Sequence, residues 1–320
     1  MADFIFSLES TLPIFLVMVC GYFFMKIKII NEEFVRVLDK FVFKVSLPIS
    51  LALSVAATDL SKSFSWKFVS FCFFGTLIMF GICRVFAQVY LKNRPNMIGA
   101  FSMCAARGSA AVLGVAFANN IFGDSSMTAM MIMASVPMYN VFSVVFLTLG
   151  AEHRDRTLSV KKQTVECLKG IATNPLIISI FVGMFFAALR IKLTDFTIPY
   201  KVLDSIGDTA TPMALITVGA SFDWKKAWTK LGPTMVGTAI KLVVLPLLYM
   251  PIAIHMGFNG QELIAILTMT GSPTTVACYI MAKNMDNDHV LTSAMVMVST
   301  LFSAVTLTVW VYILKTMGLL

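Results

Sequence analysis

Glycine, serine, proline and two threonines fall together at Gly271, Ser272, Pro273, Thr274 and Thr275, inside an apolar run from about Leu263 to Ala282. Glycine weakens a helix, and proline removes a backbone donor and clashes with the preceding turn. If the run crosses a bilayer, the break strands backbone N–H and C=O groups where lipid offers no partner. It is tolerated only inside protein or beside water. Half-helices that meet at such a break direct N-termini inward, each worth about half a positive charge with unpaired N–H groups, a setting that favours a carboxylate. The hydroxyls of Ser272, Thr274 and Thr275 add donors. The chemistry this spacing offers is reversible capture of a small anion, the usual role of a broken helix in a secondary transporter. The competing reading is a proline kink in a packed helix, as at Pro48, Pro137, Pro212 and Pro246.

Other residues could take part. Arg107 lies about eleven residues into its apolar run; a charge at that depth costs about 2.5–3.5 kcal/mol on insertion scales and needs a partner. It reads as a bidentate clamp for a substrate carboxylate, or as a structural pair with an acid elsewhere in the chain. Asp208 and Lys241 lie at ~21 Å and ~15 Å from the same face on consecutive runs, which makes them a candidate charge pair. Asp208, with Asp204, reads alternatively as a proton or cation coupling site. Lys44 is a further candidate whose default is snorkelling. Tyr139 and Asn140 follow Pro137 inside another run and want hydrogen-bond partners. The six cysteines form no CxxC and the three histidines stand apart. This spacing contains no metal or nucleophile constellation and argues against an enzyme, with no cofactor expected.

Positioning these residues falls to membrane spans. The chain is 58% hydrophobic and only 13% charged, where soluble domains average about 25% charged residues. Its net charge of +8 therefore reads as loop topology and does not call for nucleic acid. Ten runs are long enough to cross, at about 8–27, 35–57, 66–90, 96–118, 127–150, 171–190, 199–222, 231–256, 261–283 and 289–314. Sixteen Lys and Arg residues fall in or beside the loops on one side and six on the other. The positive-inside rule then puts both termini outside and the charged stretch 151–170 in the cytoplasm. No cleavable signal peptide is expected.

The halves repeat. Pro13 matches Pro175, Pro48 matches Pro212, Gly108-Ser109 matches Gly271-Ser272 and Ala129-Met130 matches Ala294-Met295, at offsets of 162, 164, 163 and 165. Five spans per copy is odd, so the second copy must enter the membrane from the opposite side. The expected architecture is all-α, two inverted five-helix repeats at 1–150 and 171–320. Inverted repeats hold substrate at their interface near the midplane, and the breaks at Gly108 and Gly271 should face each other.

Gly271-Ser272-Pro273 with Ala282-Lys283 and Asp288 through Ala294, together with Pro137 through Val141, Leu47-Pro48 and Lys241 through Pro246, resembles the auxin efflux carrier family, which takes in PIN-type carriers and bacterial malate- and malonate-permease-like proteins. The resemblance runs over essentially the whole chain. It implies a scaffold of helices 1, 2, 6 and 7, a transport domain of helices 3–5 and 8–10, crossing of unwound helices 4 and 9, and an organic carboxylate cargo. It also implies a homodimer. One departure is that Gly114-Val115-Ala116 lacks the proline that similar proteins carry there.

The expected function is secondary transport of a mono- or dicarboxylate or an auxin-like acid across the plasma (inner) membrane by elevator-type alternating access. H+ or Na+ is a possible coupling ion. The binding set is Arg107, Gly108, Ser109, Tyr139, Asn140, Gly271, Ser272, Pro273, Thr274 and Thr275. Alternatives are a cation- or proton-coupled carrier built on Asp204 and Asp208, and a transporter-like sensor.

Overall fold

Long apolar runs with polar caps at their ends fold here as helices. The computed structural model describes residues 2–57, 65–150, 169–170, 172–189, 191 and 193–320. In the first half, α1 is Ala2–Lys26, and α2 (Glu32–Phe41) runs through a π turn, Val42–Ser46, into α3 (Leu47–Ala56). Next come α4 (Trp66–Tyr90), α5 (Ile98–Ala106), α6 (Ala110–Phe122) and α7 (Ser126–Gly150). In the second half, α8 is Pro175–Ala188, and α9 (Thr197–Asp208) is followed after Thr209 by α10 (Ala210–Ala220). After the short α11 (Trp224–Thr229), α12 (Leu231–Ala239) passes through a second π turn, Ile240–Val244, into α13 (Leu245–His255). The chain closes with α14 (Gly260–Gly271), α15 (Ala277–Asn284) and α16 (His289–Thr316).

Helix starts are fixed by side chains that accept otherwise unpaired first-turn N–H groups. Asn31 caps α2, Ser65 α4, Asn174 α8, Asp223 α11 and Asp288 α16, and Asn259 with Glu262 forms a capping box on α14. Each π turn comes just before a proline, Pro48 or Pro246, whose missing N–H and bulky ring disturb the i→i−4 ladder of the preceding turn.

Among the described residues four segments, Trp66–Tyr90, Ser126–Gly150, Leu231–His255 and His289–Thr316, are long and apolar enough to cross a bilayer alone. The protein is an integral membrane protein. Most described residues of the expected runs are helical, the exceptions including breaks at 107–109 and 272–276, with the first helix starting at Ala2 and a later one at Pro175; the charged stretch 151–168 lies outside the described residues.

The broken segments run through the middle of the protein. Gly99–Ala106 of α5, Leu263–Gly271 of α14 and Ala277–Ala282 of α15 are buried on all sides, as expected for helices apolar all round. Outside them, α1 packs on α10 and on α16, while α3 packs on α8 and α9. Small residues permit the closest approaches. A Cβ on Gly219 would lie 1.8 Å from the Met18 carbonyl oxygen, and one on Gly21 2.3 Å from that of Ile216. The α3–α8 contact is built alike, with a Cβ on Gly183 falling 2.7 Å from the Ala52 carbonyl oxygen.

This contact predicts that Gly219→Ala lowers stability by about 1–3 kcal/mol through overpacking. Gly81→Ala, where a Cβ would meet nothing within 4 Å, should be neutral or stabilise by about 0.5–1 kcal/mol. Thermal unfolding of the detergent-solubilised variants checks both; equal melting temperatures would contradict the close α1–α10 packing.

Candidate functional site

Between α5 and α6 the backbone is extended at Arg107 (φ −81°, ψ 121°), and between α14 and α15 at Ser272 (φ −71°, ψ 153°). The two breaks pair with each other. Gly108 and Thr274 form an antiparallel bridge, and the Ser109 N–H donates to the Pro273 carbonyl at 2.8 Å. Among the described residues this is the only β-type pairing. It requires glycine at 108, because a Cβ there would sit 2.3 Å from Ser272 Oγ and 2.8 Å from Lys241 Cε.

Breaking two helices exposes carbonyls at the C-terminal ends of α5 and α14, and four of them, those of Cys104, Ala106, Met269 and Thr270, acquire donors from distant residues. Thr274 Oγ1 donates to the Cys104 carbonyl at 2.9 Å, and Tyr139 OH to that of Met269 at 3.0 Å. Lys241 Nζ, fully buried, donates to the carbonyls of Ala106, Met269 and Thr270 at 3.0, 3.1 and 3.0 Å. On the strand side the Thr274 N–H donates to Ser299 Oγ at 3.0 Å.

The N-terminal ends are treated differently. Neither α6, capped by Ser109, nor α15, capped by Val276, has a side-chain capping bond. Both open onto a cavity of about 150 Å³, well below the roughly 300–1,000 Å³ of drug-sized sites. One wall is the breaks and α7, with Arg107, Gly108, Ser109, Tyr139, Asn140 and Thr275; the other is α3 and α8, with Leu47, Ser50, Leu51, Ser54 and Leu176.

Arg107 is 8% exposed. Its Nη1 donates to Ser143 Oγ at 3.3 Å and touches Met281 Sδ at 3.1 Å. The ion pairs among the described residues are Lys226–Asp223, Lys230–Asp288 and Lys283–Asp39, so Arg107 has no carboxylate partner there. Arg107 forms part of the cavity wall, and no described carboxylate neutralises it.

The structure thus brings six expected residues to the cavity: Arg107, Gly108, Ser109, Tyr139, Asn140 and Thr275. Gly271, Ser272, Pro273 and Thr274 build the crossing behind it and do not line it. The Thr274 hydroxyl is committed to Cys104, and Ser272 Oγ is buried without a partner beside Gly108.

The expected Asp208–Lys241 pair does not form. Lys241 turns to the helix ends, while Asp208 is exposed and Asp204 half-buried on α9. The freed carbonyls at the ends of α5 and α14 take the lysine in place of the aspartate. Neither aspartate lines the cavity. Lys44 is exposed, in keeping with snorkelling.

Asp39, which nothing in the sequence singles out as a site residue, belongs to a buried polar cluster. Lys283 Nζ pairs with Asp39 Oδ2 at 2.6 Å and donates to Tyr279 OH at 2.8 Å and Ser221 Oγ at 3.1 Å. Tyr279 OH donates to Ser221 Oγ at 2.6 Å, and Asp39 Oδ1 is left buried without a partner. The cluster ties α2 and the end of α10 to α15. It borders a cavity of about 840 Å³ whose wall holds the cations Lys26, Arg36, Lys225, Lys226 and Lys283 and also the acids Glu32 and Glu33. Asp223 shares that wall, its carboxyl held below the usual range by the backbone N–H groups of Lys226 and Lys225.

Long apolar helices packed around a pair of broken segments define an integral membrane protein. Residues 6–311 match the family described as membrane transport protein, and the chain belongs to that family, the auxin efflux carrier group of transporters. It is 18% identical over 318 residues to an uncharacterized transporter of Methanocaldococcus jannaschii, covering 96% of this chain and 98% of that one. To the uncharacterized transporter YfdV of Escherichia coli K12 it is 20% identical over 324 residues, again covering 96% and 98%. An uncharacterized transporter of Methanothermobacter thermautotrophicus is 19% identical over 314 residues, covering 97% and 99%.

If the crossing depends on these long-range bonds, Thr274→Val should destabilise the protein by about 1–3 kcal/mol by leaving the Cys104 carbonyl unpaired. Thr306→Val, whose exposed hydroxyl bonds only within its own helix, should change stability by less than about 0.5 kcal/mol. Thermal unfolding of both variants reads the difference; similar losses would count against the crossing as the stabilising contact.

Proposed function

We propose that this chain is a secondary transporter of small organic anions, with the carboxylate bound in the cavity at the paired breaks. Arg107 carries the proposal: a buried arginine in the wall of the cavity, unpaired with any described acid. Two half-helix N-termini open onto the same space, adding positive potential and N–H donors. Ser109, Asn140 and Thr275 offer neutral polar contacts in its wall. A planar fork and two helix ends suit mono- or dicarboxylates of malate or malonate size, or an auxin-like acid at its carboxylate end.

Ten membrane spans in two inverted repeats account for the packing. Residues exchanged by a two-fold axis touch each other only on that axis. Ser46 Oγ and Thr209 Oγ1 meet at 2.9 Å across a separation of 163 residues, the repeat offset, and Ser109 meets Pro273 across nearly the same separation. Away from the axis contacts occur in exchanged pairs: Gly21 packs on Ile216, and its counterpart Gly183 packs on Ala52.

The cavity lies where α3 and α8 meet the breaks and α7. An elevator follows if helices 1, 2, 6 and 7 form the scaffold and the remainder slides against it, carrying the anion. The Asp39–Lys283 cluster then joins scaffold to moving part at the basic, cytoplasmic face, beside a cationic vestibule that gathers anions. Both termini lie outside, in the plasma (inner) membrane. A homodimer through the scaffold and H+ or Na+ coupling complete the reading.

Counterflow of labelled short dicarboxylates into proteoliposomes tests the proposal. Arg107→Ala should cut uptake at least about 100-fold, the loss expected when a buried charge partner is removed, while the variant remains expressed and folded. Uptake unchanged in Arg107→Ala would refute the anion site. Loss of folded protein would make Arg107 structural.

A further inference from the structure

Lys241 is a cation buried in the wrong company for an ordinary ion pair. It projects from the π turn Ile240–Val244 with its side chain wholly inaccessible. No acidic residue pairs with it among the described residues. Its Nζ lies 3.0, 3.1 and 3.0 Å from the carbonyl oxygens of Ala106, Met269 and Thr270. Three carbonyl oxygens around Nζ match the three donors of an ammonium, where a neutral amine offers only two.

The compensating charge is the backbone itself. Ala106 ends α5, and Met269 and Thr270 lie in the last turn of α14. Each helix C-terminus carries about half a negative charge, so two such ends supply about the single charge that one ammonium neutralises. Converging carbonyls at half-helix C-termini are also the ligands by which broken-helix transporters hold a coupling cation.

We propose that these three carbonyls form a monovalent-cation site, and that Lys241 Nζ is its permanent occupant. A cation tethered by covalent bonds stands where a diffusible one would otherwise be needed to hold the two C-terminal ends together. The crossing therefore forms without bound alkali ion. Removing the side chain exposes a site for which free ammonium, with the same donors and radius, is the natural probe. The inference concerns the C-terminal side of the crossing alone and goes beyond the anion proposal, whose site lies on the N-terminal side.

Thermal unfolding of the purified full chain in choline, ammonium, potassium and sodium chloride at equal ionic strength tests it without any organic substrate. Wild type should melt at one temperature in all four salts. K241A should melt lower in choline and recover by about 2–4 °C in ammonium, the size of shift a site-specific ligand gives a chain of this class. K241M, which fills the space with an uncharged group, should be destabilised and show no recovery. A K241A variant no more responsive to ammonium or alkali ions than wild type would overturn the proposal, as would K241M as stable as wild type. Should neither variant yield folded protein, wild type decides: a melting temperature raised by sodium or potassium over choline overturns the tethered cation, and indifference to all four salts upholds it. Failure of dicarboxylate counterflow would leave these outcomes untouched.

Discussion

Four helix ends meet in the interior of this protein, and the rest of the structure is arranged to satisfy them. A continuous helix in lipid meets its own backbone requirement, whereas a broken one must find partners in neighbouring segments. Lys241, Tyr139 and Thr274 answer the carbonyls of α5 and α14. The N-termini of α6 and α15, without side-chain caps, are left facing the cavity. C-terminal ends are thereby closed by protein donors and N-terminal ends stay open to solute.

Gly108 shows how narrow the tolerance is. Ser272 Oγ and the end of the Lys241 side chain would both lie within 3 Å of a Cβ at that position, so even alanine would force them apart. The bridge to Thr274, the lysine cap and the approach of Arg107 to the cavity are thus parts of one arrangement. Packing farther out follows the same logic, since the α1–α10 and α3–α8 contacts also depend on glycines that admit a neighbouring carbonyl. Rigid, closely packed pairs of this kind suit a frame against which another body slides.

Much of this could be read from residue types. Gly271 and Pro273 announce a break because both oppose helix locally. Arg107 and Gly108 announce nothing so plain, and their break emerged only from the constant offset between the halves. The depth of Lys241 was also legible, but its partners were not. Opposite charges are visible in a sequence, whereas a carbonyl becomes an acceptor only once its helix has ended, and the convergence of α5 and α14 is a property of the tertiary fold. The same limit explains Ser50, Ser54 and Ser143, ordinary helix serines until the cavity and the guanidinium give them a role. Thr274 read as a ligand donor for the same reason: a hydroxyl beside a break has two possible clients, and here the freed Cys104 carbonyl takes it.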